Sequence, residues 1–245
     1  MKIMISILGV LITSNVFAQV ASGPANKTQT TDMVELVSLE KMPLPLPPGE
    51  ADKMRKNTFV MAADGFSPLE KEPIMVKGFF NNMNAAKTYL ARQNLANNQQ
   101  NNAERSTPEV HKDLSTLKHG FKAASFSRGV LVVAAPSGTK LNDAWTGIDR
   151  FFQIDGAGSV RLSEVDLGAT GGKFYMIKEA VNTRVHGKPA ISKVFTGDDA
   201  QTIEEVVWVE GNKFYMLTFG PDLIPGTKTK AAPHITANLL AHELH

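Results

Sequence analysis

A serine and a lysine three residues apart form one pattern in this chain that could support chemistry. Ser137 and Lys140 have the spacing Ser-x-x-Lys, in which a serine at a helix start is the nucleophile and the lysine takes its proton. The same spacing occurs at Ser38–Lys41 and at Ser115–Lys118, so it is not specific. Gly138 also favours a turn over a helix start, and we expect a loop that closes a strand here.

Two histidines near the carboxyl end of the sequence could hold a metal ion. His242 and His245 are three residues apart, whereas the His-Glu-x-x-His zinc motif of metalloproteases needs a spacing of four. An i, i+3 pair can chelate a metal, but it places Glu243 differently from the glutamate of that motif. The alternative is an amphipathic helix over residues 233–245 that buries Ile235, Leu239 and Leu240 and leaves the histidines in water. We therefore predict no metal or other cofactor.

A hydrolase site can also be assembled from residues that are far apart in sequence. Ser137, with His186 or His119 as the base and an aspartate such as Asp149, would supply the three groups of such a site. His186 belongs to a predicted turn with Gly187, and its alternative is simple exposure to solvent. Spacing alone does not decide between these possibilities.

The strands and helices predicted from the sequence, which would position these side chains, indicate an α+β fold. We expect an antiparallel meander sheet of about five strands with helices packed on one face. The strongest hairpin signal is Gly211-Asn212, because both residues tolerate positive φ. The predicted strands of the meander are residues 173–185, 190–195, 202–210 and 213–219, with a further strand at 160–167.

Two further segments of the sheet region are predicted from apolar spacing. The continuous apolar run at residues 129–135 indicates a strand near the centre of the sheet, since such runs are usually covered on both faces. Residues 142–152 favour a short helix with Trp145, Ile148 and Phe152 on one side. Trp145 is expected to lie in the core or, alternatively, at the rim of a partner-binding pocket.

Residues 77–119 are predicted to form two helices joined by an Asn/Gln-rich linker. Phe79, Met83, Ala86 and Leu90 make an apolar stripe with helical spacing. Thr107 is a suitable N-cap for the second helix. The sheet domain would then cover residues 120–232.

The beginning of the sequence is typical of a secretory signal peptide. Lys2 precedes an apolar run, and Val16 and Ala18 suit cleavage after Ala18. Residues 19–76 are predicted to be extended and Pro-rich, as in Met42-Pro-Leu-Pro-Leu-Pro-Pro-Gly49. Leu44 and Leu46 could dock into an aromatic groove of a partner, or this strap could cover the protein's own surface.

Composition limits the classes of function. The 245 residues carry a net charge of +2 with both signs interspersed, which gives no electrostatic basis for binding nucleic acid. The chain has no cysteine, which excludes disulfides, thiolate nucleophiles and cysteine zinc sites. No apolar run after residue 18 is long enough to span a membrane.

These features predict a non-enzymatic, exported binding or assembly module, periplasmic or secreted. It would engage a protein partner in the cell envelope through a sheet face or through the N-terminal strap. The alternatives are a small secreted serine hydrolase and a carrier of an apolar ligand.

Overall fold

Antiparallel strands make up most of the described chain. The computed structural model describes residues 10–13, 33–38, 49, 70–99, 121–141, 144–170, 173–198, 201–221 and 235–244. The first half contains β1 (Val10–Thr13), β2 (Val34–Val37), β3 (Glu70–Lys71), α1 (Pro73–Gln99), β4 (Gly129–Leu141) and β5 (Ala144–Ile154). The second half contains β6 (Gly158–Asp166), α2 (Leu167–Thr170), β7 (Lys173–Ile177), β8 (Thr183–Val185), β9 (Lys188–Thr196), β10 (Thr202–Glu210), β11 (Lys213–Pro221) and α3 (Ala237–Glu243).

The main sheet is larger than the five strands expected. Within the described residues it has eight strands in the order β3-β9-β10-β11-β6-β5-β4, with β8 paired to β9. All of its pairs are antiparallel except β3 with β9. The predicted hairpin is confirmed, because Gly211 has φ 61° in the turn between β10 and β11. The prediction of an antiparallel sheet within an α+β fold is therefore confirmed.

The helix predicted at residues 142–152 is wrong. Residues 144–152 of this segment lie in β5, which pairs with β4 on one side and with β6 on the other. From Ile148 to Ile154 buried and half-buried residues alternate, which is the period of a strand. The helical spacing of Ile148 and Phe152 is also an even spacing, so both residues reach the same side of a strand.

The strand predicted at residues 129–135 lies at the edge of the described sheet rather than near its centre. Val132 and Ala134 are buried and the alternate residues Val133 and Ala135 are half-buried, whereas 67% of Val130 is exposed. The strand continues to Leu141 with register shifts after Leu131 and after Ser137, where a loop was expected. An edge position tolerates Pro136, which has no N–H to donate.

The long strand predicted over residues 173–185 is divided. A short 3₁₀ helix, Lys178–Ala180, separates β7 from β8. β7 leaves the main sheet and forms a small sheet in the order β1-β7-β2 within the described residues. The sheet region therefore includes strands from residues 10–71, among them β1, which lies within the predicted signal peptide.

Helices pack on both faces of the main sheet, not on one. On what we call the front face, α3 and residues 121–128 cover a core that contains Phe152, Leu162, Trp208 and Leu217. On the back face, α1 covers one end through Val76, Phe79 and Met83, and the small sheet covers the other end.

The two helices were predicted with different success. The first of the two helices predicted within residues 77–119 is confirmed as α1, with its apolar stripe buried through Ala86. α3 begins after the N-cap Thr236 and buries Leu240, but 47% of Leu239 is exposed, contrary to expectation. None of the helices in the described part of the chain is both long enough and apolar enough to cross a membrane. The Pro-rich part of the predicted strap, residues 42–48, and the second helix lie outside the described residues. Within the range 19–76 that was expected to be extended, residues 34–37 and 70–71 form β2 and β3, whereas residues 73–76 already belong to α1.

Candidate binding face

Two arginine–carboxylate pairs link the neighbouring strands β5 and β6. Consecutive residues of β5, Asp149 and Arg150, project to opposite faces of the sheet because side chains alternate along a strand. Asp149 pairs with Arg161 and Arg150 pairs with Glu164, each diagonally across the same strand pair. Each face of the sheet therefore has one arginine–carboxylate pair between β5 and β6.

The front pair is buried. The side chains of Arg150 and Glu164 are 6% and 5% exposed and form an ion pair. Arg150 Nη2 also donates to the carbonyl of Lys122 at 2.7 Å, and Lys213 Nζ lies 3.8 Å from Glu164 Oε2. Burial lowers the pKa of Arg150 to about 10 and also lowers the pKa of Lys213, which the Asp166 carboxylate partly opposes. Such a paired, enclosed group is a structural element of the core.

The back pair is partly open. Arg161 Nη2 donates to Asp149 Oδ2 at 2.7 Å, and the two side chains are 31% and 17% exposed. The guanidinium of Arg161 also lies 6.0 Å from the ring centroid of Phe151, its neighbour in register on β5. This geometry suits a cation–π contact and holds the arginine in place.

Arg161 begins a row of polar residues across the back face. The register places it opposite Thr218 of β11, Thr218 opposite Glu205 of β10, and Glu205 opposite Lys193 of β9. We call Arg161, Thr218, Glu205 and Lys193 the polar row. Its three charged residues alternate in sign along the sheet.

The polar row separates two apolar clusters of the back face. On β10, Ile203 packs with α1 and Val207 packs with the small sheet, and Glu205 lies between them on the same face. On β9, Phe195 and Ile191 flank Lys193 in the same way. The polar row therefore crosses the main sheet between α1 and the small sheet.

Polar groups near the row retain unused hydrogen-bonding capacity. Ser163 of β6 is buried opposite Asp149, and its Oγ has no hydrogen-bond partner among the described residues. The same holds for Nε of Arg161. Buried polar atoms in folded proteins are usually paired with protein groups or with ordered water, so these two atoms have the capacity for one further partner.

His186 and His242 come together at another place. His186 has φ 48° in the turn between β8 and β9, and its Nδ1 lies 3.1 Å from Glu210 Oε2. Its ring centroid is 6.0 Å from that of His242 on α3, and both residues are exposed. Within the described residues no group of three acidic or histidine side chains could hold a metal ion. His245 lies outside those residues.

The predicted serine–lysine pair lies on strands. Ser137 is opposite Gly147 and Lys140 is opposite the half-buried Trp145, in the hairpin of β4 and β5. The helix start that the Ser-x-x-Lys chemistry uses is therefore not present at Ser137.

Ser137 and His186 of the predicted hydrolase lie far apart in the described fold. Four strands separate β4 from β9, which is about 24 Å along the sheet, and His186 lies beyond β9. Asp149 is engaged by Arg161. His119, Leu44 and Leu46 lie outside the described residues.

Sequence reasoning did not find the polar row. Its members come from four strands, and each strand contributes one residue that looks like an ordinary solvent-facing position. Glu205 and Lys193 did carry a signal, because each is a charged residue placed between apolar residues at i−2 and i+2 of its strand. That pattern indicates a charge on a covered face.

Comparison of this chain with protein-family models, curated proteins and solved structures gave no match.

Proposed function

We propose that the protein is an exported, non-enzymatic binding module that holds a protein partner of the cell envelope over the polar row of its back face. The observation that carries this proposal is a charged, partly open row between two apolar clusters. Export rests on the predicted signal peptide, and the compartment is periplasmic or extracellular.

The polar row is not what stability alone favours. Replacing a desolvated ion pair by apolar residues of similar volume is often neutral or stabilising. The pair of Asp149 and Arg161 is half-open, and pairs of this kind contribute about 0–1 kcal/mol. Ser163 Oγ, which is buried, adds a desolvation penalty of about 1–3 kcal/mol where neither water nor another molecule bonds to it. Recognition of another molecule accounts for groups that the fold does not need.

The chemistry of the row defines the partner that would fit it. Arg161 beside Phe151 offers an arginine and an aromatic ring, residue types enriched at the energetic centres of protein interfaces. Glu205 and Lys193 extend the site with both signs of charge. A segment that carries acceptors for Arg161 and Ser163 and charges of both signs would be complementary.

The test replaces the back pair without opening a cavity. We would express wild type and the double variant Asp149→Leu/Arg161→Leu in the exporting cell, crosslink, and identify covalent partners by mass spectrometry. Arg184→Leu, at an exposed arginine of β8, is the matched control.

We expect wild type and Arg184→Leu to crosslink the same partner through peptides of β6, β9 or β10. The double variant loses that partner while its unfolding midpoint stays at or above that of wild type. Retention of the partner by the double variant would refute the proposal.

A further inference from the structure

A strand from the predicted signal peptide occupies one edge of the small sheet. β1 pairs antiparallel with β7, with Val10 opposite Met176, Leu11 opposite Tyr175 and Ile12 opposite Phe174. On its other side β7 pairs parallel with β2. β1 is therefore the element that covers this edge of β7 in the full-length chain.

The backbone directions of β7 show which groups β1 covers. The N–H of Phe174 donates to the carbonyl of Met33 at 2.9 Å, on the β2 side. Because backbone groups alternate in direction along a strand, the N–H and C=O of Tyr175 point toward β1. Removal of β1 leaves these groups of Tyr175 as an open edge, while the pairing with β2 is unaffected.

We propose that cleavage after Ala18 uncovers the β7 edge, which then takes up an extended apolar segment of another protein by strand addition. The signal peptide thus keeps the edge closed until export. This inference rests on the predicted cleavage and not on the polar row.

The strand seated on β7 indicates the chemistry of the incoming segment. Val10 and Ile12 are in register with Met176 and Phe174, whose side chains are fully buried against the main sheet. An incoming strand therefore needs apolar residues at alternate positions, and backbone hydrogen bonds supply the remaining recognition. A second processed copy lacks residues 10–13 and cannot donate this same strand, and we therefore assign the edge to a segment of a different protein.

The probe is the peptide Gly-Val-Leu-Ile-Thr-Ser, which is residues 9–14, labelled for fluorescence anisotropy. We expect it to bind the processed protein purified after export and not the full-length precursor. The control peptide carries the changes Val10→Asp and Ile12→Asp and does not bind. Equal binding of both peptides, or no binding to the processed protein, overturns the proposal.

Two backbone variants locate the site. Tyr175→Pro removes the N–H that points toward β1, and we expect it to weaken peptide binding about tenfold, whereas Tyr175→Ala keeps that N–H and binds within about threefold of wild type. In the full-length precursor, Leu11→Pro removes the facing donor of β1 and allows the peptide to bind. This arm tests the edge in the complete chain even where the processed protein or Tyr175→Pro folds poorly.

The mass of the exported protein shows whether cleavage after Ala18 takes place, and this result is independent of the polar row. Retention of residues 1–18 overturns the uncovering of β7 and leaves the test of the polar row intact. A processed protein that dimerises, and that the peptide does not dissociate, assigns the edge to a second copy and also overturns the proposal.

Discussion

The front and back faces of the main sheet place the same kind of ion pair in different surroundings. On both faces an arginine and a carboxylate from β5 and β6 pair diagonally. The front pair is buried, Arg150 has a further backbone acceptor in Lys122, and Lys213 lies near Glu164. The back pair is half-open and continues into the polar row.

This difference shows that burial, rather than residue type, separates a structural pair from a candidate binding pair. In the front pair, removal of one partner leaves a buried charge without compensation. In the back pair, water can replace a lost partner. We expect this contrast to appear in the stability of variants of the two faces.

Glu164→Ala should destabilise the protein by about 3–5 kcal/mol, because it leaves Arg150 buried without its carboxylate. Denaturant unfolding measures the change. The control Arg150→Met/Glu164→Leu removes both charges and should lie within about 1.5 kcal/mol of wild type. A single variant no less stable than the double variant would show that the front pair is not a core element.

The helices α1 and α3, which cover the two faces, should contribute similar amounts to the free energy of unfolding. Leu240→Ala on α3 and Met83→Ala on α1 each remove a buried side chain and should destabilise by about 2–4 kcal/mol. The exposed neighbours Leu239→Ala and Ile74→Ala serve as controls and should change stability by about 0.5 kcal/mol or less. A negligible effect of Met83→Ala would mean that α1 does not cover the back face as the packing indicates.

Alkaline pH should destabilise the front face through Tyr215. Burial, and secondarily Glu210, raises the pKa of this phenol, so the folded state holds the proton more tightly than the unfolded state. This contribution is fully present below pH 10, the unfolded pKa, and is lost as pH rises through the raised folded pKa.

Tyr215→Phe keeps the stack on Trp208, whose ring centroid is 5.0 Å away, and removes the titration. Unfolding free energies measured between pH 8 and 11 should therefore fall more steeply for wild type than for Tyr215→Phe. If the two proteins give parallel curves of unfolding free energy against pH, the ionised phenol of Tyr215 is solvated in the folded state and its pKa is not raised.

Asp149→Asn should change stability by only about 0–1 kcal/mol, and less in 1 M salt, because the back pair is partly solvated. Unfolding at low and high salt measures this effect. A loss as large as that of Glu164→Ala would remove the distinction between the faces and, with it, the argument that the fold does not need the polar row.

Local sequence signals predicted several elements with nearly correct bounds. The predicted strands 202–210 and 213–219 around the turn Gly211-Asn212 correspond to β10 and β11, and α1 follows from a stripe at helical spacing. In each case the signal lies within neighbouring residues, so the physics of turns and periodicity is sufficient. The absence of cysteine likewise follows from the sequence, and the described core is held by packing and hydrogen bonds.

The candidate site could not be predicted in this way. The polar row requires the pairing of β9 with β10, β10 with β11 and β11 with β6, which brings Lys193 and Arg161 onto one face. One-residue shifts in any of these registers would turn a member of the row to the opposite face. Ser163 and Arg161 are ordinary polar residues until burial removes their water.

Tertiary structure also decided three elements that local patterns described wrongly. Residues 144–154 are a strand because β4 and β6 pair on either side, although their apolar spacing also fits a helix. β4 lies at the edge of the described sheet, and β7 joins β1 and β2 instead of the main sheet. Local patterns in the sequence establish where strands and helices are favourable. Long-range hydrogen bonding and burial determine which elements become neighbours, and therefore which charges are enclosed and which stay partly open.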